Sequence, residues 1–192
     1  MLTLYFAPGS SSMAAHIALH EVGAAFETRP ISFFRKETQS PEFLAVNPRG
    51  KVPVLLIDGR PLTEVAGILF YLARAYPAAG LLPAGDEAEG QVVSWMSFIA
   101  SGIHPARREG PARMAETFGH AEQLLGAHDW AVGDRYSIAD IHLFRLYWRY
   151  VNAPGALRDE FPGLEAHYAR VMARPAVQRT MEIERQVGYE LP

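Results

Sequence analysis

The chain has 192 residues, enough for one large or two small domains, and 49% of them are apolar, ample for a buried core. A net charge of −3 offers no broad basic surface, so no nucleic-acid partner is expected. There is no cysteine, which excludes disulfides, thiolate metal sites, protein thiol redox chemistry and a cysteine nucleophile.

Leu2–Phe6 is a short apolar run of strand formers, broken by Pro8-Gly-Ser-Ser-Ser12. Met13 to about Val22 has a helical pattern that Gly23 ends as a C-cap. Phe26–Ile31 alternates apolar and polar residues as a strand does, and Pro41–Val46 suits a short helical turn. His16 and His20 stand four apart, as zinc ligands can, but no third ligand of suitable spacing accompanies them, and no metal site is expected.

The richest stretch is Asn47-Pro-Arg-Gly-Lys-Val-Pro53, followed by the apolar run Val54–Ile57, the turn dipeptide Asp58-Gly59 and then Leu62-Thr-Glu-Val65. Pro53 cannot donate a ladder hydrogen bond, so it belongs at the first position of a strand. With a cis bond before it, the backbone of Val52 turns outward and can pair with an extended peptide. Glu64 opens a helix running to about Arg74, and the backbone N–H groups at its start attract a carboxylate. A peptide-pairing edge beside an anion site describes a receptor for a small acidic peptide. The element order to this point is β-α-β-α-β-β-α.

Tyr76–Gly85 carries proline and glycine at linker density. Domains are expected over residues 1–78 and 87–192, with 79–86 as the linker. The second part is helical throughout: a long helix from Asp86 to about Arg108, another from about Ala112 to Ala127, a third over Ile138–Val151 and two more up to Arg185. Ser137 and Asp140 match a capping box at the start of the third. The N-terminus lacks the basic start and apolar run of a signal peptide, and no apolar stretch approaches the roughly 20 residues of a membrane span. A soluble, cytoplasmic protein with no membrane partner is expected.

The Asn-Pro-x-Gly-x-Val-Pro segment with a Thr-Glu before a helix resembles the glutathione-binding domain of the glutathione S-transferase family, and the resemblance runs through the whole chain. The opening Tyr5-Phe-Ala-Pro8-Gly-Ser-Ser-Ser-Met-Ala-Ala-His16 looks most like the bacterial beta class, which usually carries a cysteine where this chain has Ser11. The resemblance implies an α/β plus all-α fold: a thioredoxin-like N-terminal domain followed by an all-helical one. It also implies a detoxifying transferase, in which glutathione is co-substrate to a small hydrophobic electrophile, and a homodimer paired through the helical domain. Trp95, Met96, Phe98 and His104 are candidates for the electrophile pocket or the dimer contact. The alternative is a protein of this fold that binds glutathione or a hydrophobic ligand with little or no catalysis. Val65 and the absent cysteine point toward it.

Glutathione chemistry needs a thiolate, and lowering a thiol pKa by about two units takes roughly 2.7 kcal/mol. A hydroxyl donating to the sulfur and a nearby helix N-terminus can both contribute. Ser10, Ser11 and Ser12 stand at such a terminus, where their ordinary role is capping. By register with the beta-class motif Ser11 takes the activating position, with Ser10, Ser12 and Tyr5 as competitors. The resemblance further implies that the backbone of Val52, beside Pro53, pairs with the cysteinyl unit. Glu64 and Val65 then meet the γ-glutamyl group. Arg35 or Lys36 meets the glycyl carboxylate. His104 borders the second-substrate pocket, where it can donate to the thiolate.

Overall fold

The computed structural model describes residues 1–190. The chain divides into two compact units, Met1–Ala79 together with the segment from Pro175 onward, and Gly80–Arg174.

The first unit is built on a four-stranded sheet of β1 (Leu2–Phe6), β2 (Phe26–Pro30), β3 (Val54–Ile57) and β4 (Arg60–Thr63), in the order β2-β1-β3-β4. β1 runs parallel to β2 and antiparallel to β3, and β3 to β4 is an antiparallel hairpin. The parallel pair needs a crossover, supplied by helix α1 (Ser12–Glu21), whereas the hairpin turns in two residues. Asp58 and Gly59 both take positive φ there, 49° and 80°, as the expected turn requires.

Central β1 is covered on both faces. Leu2, Leu4 and Phe6 are buried on one side, where the rings of Phe6 and His16 of α1 lie 5.0 Å apart. Tyr5 on the other side packs against Phe43 of α2 (Pro41–Val46), in a small core with Ala7, Ile31, Val52 and Val54. Helix α3 (Val65–Ala75) lies beside α1 and buries Ile68, Leu69 and Leu72. The observed order β-α-β-α-β-β-α is the expected one.

The last helix, α9 (Pro175–Val187), packs on α1 and so completes this unit rather than the helical one with which it was grouped. The contact is polar at its centre, with Glu184 fully buried against His16, a pattern that an apolar periodicity does not reveal.

The second unit is helical throughout: α4 (Asp86–Phe98), α5 (His104–Glu109), α6 (Pro111–Leu125), α7 (Ile138–Val151) and α8 (Pro162–Met172). The expected long helix is interrupted. A π-helical turn spans Ile99–Ile103, and the His104 N–H donates to Ile99 O, five residues back. Pro105 follows with no N–H of its own, so the widened turn falls where the ordinary ladder has to break. Ser137 and Asp140 form the expected capping box. Asp140 Oδ2 accepts the Ser137 N–H at 2.8 Å, while Oδ1 accepts the Ala131 N–H at 2.7 Å and meets His167 Nε2 at 2.9 Å. This buried aspartate therefore organises the helical unit. No helix among the described residues is long and apolar enough to cross a membrane.

Candidate active site

Three segments of the first unit carry most of the expected site residues: the loop between β1 and α1, the loop before β3, and the start of α3; Arg35 and Lys36 lie in the loop after β2. In the first loop the serines divide sharply. Ser10 and Ser12 are buried, with their hydroxyls 2.7 Å apart. Ser12 Oγ donates to Ala7 O and accepts the Ala7 N–H, both at 3.1 Å, and Ser10 Oγ accepts the Ser12 N–H at 3.2 Å. Those two hydroxyls hold the loop together. Ser11 is partly exposed, and its hydroxyl reaches outward to Val52 O at a long 3.4 Å. It is the N-cap residue of α1 but makes no side-chain cap, so its hydroxyl is not committed to the helix.

The loop is also held from behind. Glu184 Oε2 accepts the Gly9 N–H at 2.8 Å and Oε1 meets His16 Nδ1 at 3.0 Å. The His16 and His20 rings stack 5.1 Å apart, and among the described residues no group of metal-ligating side chains is assembled. His20 is pushed down to about 4, first by burial and then by the proximity of His16 and Arg179.

The Val52–Pro53 peptide is cis, as the motif led us to expect. The loop before it is organised by buried Asn47, whose Oδ1 accepts the Arg49 N–H at 3.1 Å and whose Nδ2 donates to Lys51 O at 2.7 Å. Gly50 has a φ of 59°, and a Cβ there would stand 2.8 Å from Thr38 O, so both conformation and space require glycine.

At the third segment Glu64 has φ 66° and ψ 128°, a backbone strained for any residue but glycine, and Val65 follows as the first residue of α3. The Glu64 carboxylate is exposed and paired with Arg49 Nη1. Arg35 Nε donates to Glu37 Oε1 at 2.8 Å, and Lys36, at φ 55°, is exposed. The backbone around them is taken by Glu190, whose carboxylate accepts the N–H groups of Phe33 and Phe34 and the Ser32 hydroxyl. These contacts, the Ser32 hydroxyl first, hold the Glu190 carboxyl below its ordinary range.

The structure thus joins Ser11 to Val52 and Pro53, and it sets Arg49 on Glu64. His104 belongs to the other unit, exposed at the start of α5. Tyr5 lines a cavity of about 310 Å³ with Ile31, Glu37, Ser40, Glu42 and Phe43. With two carboxylates in its wall, that cavity is ill-suited to a peptide that itself carries two. The roles of Arg49, Glu184 and Glu190 were missed in the sequence. Arg49 lies inside the motif and was open to notice as one of its two cations, with Lys51, but nothing local marks the two C-terminal glutamates.

A cis-proline edge, a serine hydroxyl set against it and a helix start beside both define a thioredoxin-like peptide-binding domain, here carried with a helical unit. Residues 1–74 match the family model described as glutathione S-transferase, N-terminal domain, and residues 103–175 match that of the C-terminal domain. The chain is 32% identical to glutathione S-transferase GstA of Escherichia coli O157:H7, over 95% of this chain and 98% of that protein. Among solved structures it is similar to a sphingomonad glutathione S-transferase complexed with glutathione (34% identity, TM-score 0.86, 95% of this chain and 98% of that one). It is similar also to the bacterial beta-class enzyme of Sphingomonas chungbukensis (32% identity, TM-score 0.86, with the same shares covered). The chain belongs to the glutathione S-transferase family.

Proposed function

We propose that the protein is a glutathione transferase that activates the glutathione thiol with Ser11 and adds the sulfur to a small hydrophobic electrophile. One observation carries the assignment of Ser11: its hydroxyl stands 3.4 Å from Val52 O, on the backbone edge beside the cis peptide. An extended peptide pairing with Val52 brings its central residue to that edge. The Ser11 hydroxyl then turns from Val52 O to donate to the sulfur. Ser10 and Ser12 cannot do so without breaking the loop they hold.

In this reading the thiol loses its proton to solvent, and the Ser11 hydroxyl and the first turn of α1 stabilise the thiolate. The sulfur lone pair forms the new carbon–sulfur bond while the electrophile's leaving group departs with its bonding pair or, in an addition, the π pair moves to the neighbouring carbon, which then takes up a proton from solvent. Glu64 and the Val65 N–H receive the γ-glutamyl end, Glu64 taking its ammonium in exchange for Arg49. Lys36 and Arg35 receive the glycyl carboxylate. The electrophile, a homodimeric assembly and a cytoplasmic location complete the proposal, as does His104 at the second-substrate pocket. Light scattering at micromolar concentration tests the assembly, since a monomer mass of 21.3 kDa would refute it.

The test of Ser11 is Ser11→Ala with glutathione bound, followed by thiolate ultraviolet absorbance. The bound thiol pKa should rise by about one unit, since a hydrogen bond to a charged group contributes roughly 1.5–3 kcal/mol and water replaces part of it. Turnover of chlorodinitrobenzene at neutral pH should fall roughly tenfold, with glutathione affinity by calorimetry little changed. A titration curve that overlays wild type removes the hydroxyl from the mechanism.

A further inference from the structure

Helix α7 buries two arginines and a histidine that the transferase reading leaves unused. His142, Arg145 and Arg149 stand at i, i+3 and i+7 on one helical face, with only 2%, 5% and 7% of their surface exposed. Among the described residues, no carboxylate pairs with Arg149. Among the described residues, the charged group that acts on it is Arg107 of α5, another cation. Burial first, and Arg107 second, pull its guanidinium below the ordinary arginine value. The Nδ1 atom of His142 is buried without a hydrogen-bond partner. Burial, then His104 of α5 and Arg145, bring that ring to about 3, so it stays neutral and keeps an N–H to donate.

A buried guanidinium facing only like charge is an unfavourable arrangement that a bound anion relieves. The helices supply the parts of such a site. Arg149 offers a planar fork of donors, His142 a neutral donor about two turns away along the helix, and exposed Arg107 a further cation. The setting also selects the ligand. A largely dehydrated site favours a singly charged, planar group over a strongly hydrated dianion such as phosphate.

We propose that the His142–Arg145–Arg149 face of α7, with Arg107 of α5, binds the carboxylate of a small organic anion, with Arg149 as its principal ligand. The inference stands on the helical unit alone and does not depend on Ser11 or on glutathione binding.

The probes are propionate and benzoate, with propionamide and benzamide as neutral counterparts of the same shape, read by calorimetry and thermal unfolding at matched ionic strength. Saturable binding and a raised melting temperature are expected with a carboxylate and not with its amide. Arg149→Gln should abolish both, and Arg107→Gln should weaken binding roughly tenfold. Arg149→Met, with no anion added, should melt above wild type because a lone buried charge is gone. Equal response to acids and amides, or wild-type binding in Arg149→Gln, overturns the proposal. So does dissociation of an assembly by Arg149→Met, since an acid of a second copy would then be the occupant. If the Arg149 variants do not fold, unchanged carboxylate binding in Arg107→Gln overturns it.

Discussion

Glu184 accepts the Gly9 amide proton at 2.8 Å, joining residues 175 positions apart in the chain. Gly9 stands two residues before Ser11, so the position of the candidate hydroxyl is set by the last helix as well as by its own loop. The same carboxylate holds His16 Nδ1, and it is wholly buried. Glu184→Ala takes the carboxylate from two buried groups and should cost about 3 kcal/mol in urea denaturation, whereas Glu184→Gln, which keeps the shape and an acceptor, should cost less. A loss under about 1 kcal/mol for the alanine variant would mean that water or a neighbour replaces the carboxylate there.

Ser12→Ala and Ser11→Ala should separate stability from chemistry. Ser12 Oγ makes hydrogen bonds to both main-chain groups of Ala7 and to Ser10, all buried, so its removal should cost about 1–3 kcal/mol. Ser11 makes one long contact, and its removal should change stability by less than about 0.5 kcal/mol. Denaturation midpoints measured side by side decide this. The reverse ranking would show that Ser11 is the structural serine.

Glu64→Gln should weaken glutathione binding about tenfold, by loss of a charge-assisted hydrogen bond to the ammonium group. Its pairing with Arg49 is exposed on both sides, and such pairs contribute about 1 kcal/mol or less, so the melting temperature should barely move. Calorimetry gives the affinity. Unchanged binding would place the ammonium elsewhere.

Acid should destabilise the fold through His20. Its pKa is 6.5 in the unfolded chain and about 4 when folded. Below 6.5 the unfolded state therefore binds the extra proton and the folded state does not, so stability falls with pH through that window and levels off beneath it. His142, at about 3, acts in the same direction. Urea midpoints from about pH 7 to about pH 4 should decline, and His20→Leu should flatten part of the slope. A slope identical in wild type and His20→Leu would exclude His20 as its source.

Much of the first unit was legible because its signals are local. Leu2–Phe6, Pro41–Val46 and Val54–Ile57 have the expected limits, and Pro53 and Asp58-Gly59 constrain their own backbone. The capping box at Ser137 was legible for the same reason. The division of labour among Ser10, Ser11 and Ser12 was not, because each is a serine at a helix start. Only the folded loop decides which hydroxyl turns inward. The π-helical turn before His104 was not legible, since Pro105 removes a donor without dictating how the ladder re-forms. The clamps by Glu184 and Glu190 join the two extremes of the chain, a distance over which spacing carries no information.

The place of α9 also has a bearing on how the molecule is made. A nascent chain can close a domain once its residues have left the ribosome, and N-terminal domains usually do so first. Here the sheet and its first helices emerge early, but the helix that seals α1 follows the entire helical unit. Until residue 184 is available, His16 and the Gly9 amide lack their carboxylate. The unit translated first is therefore completed after the helical one, and the loop bearing Ser11 acquires the support of Glu184 only once the whole helical unit has been synthesised.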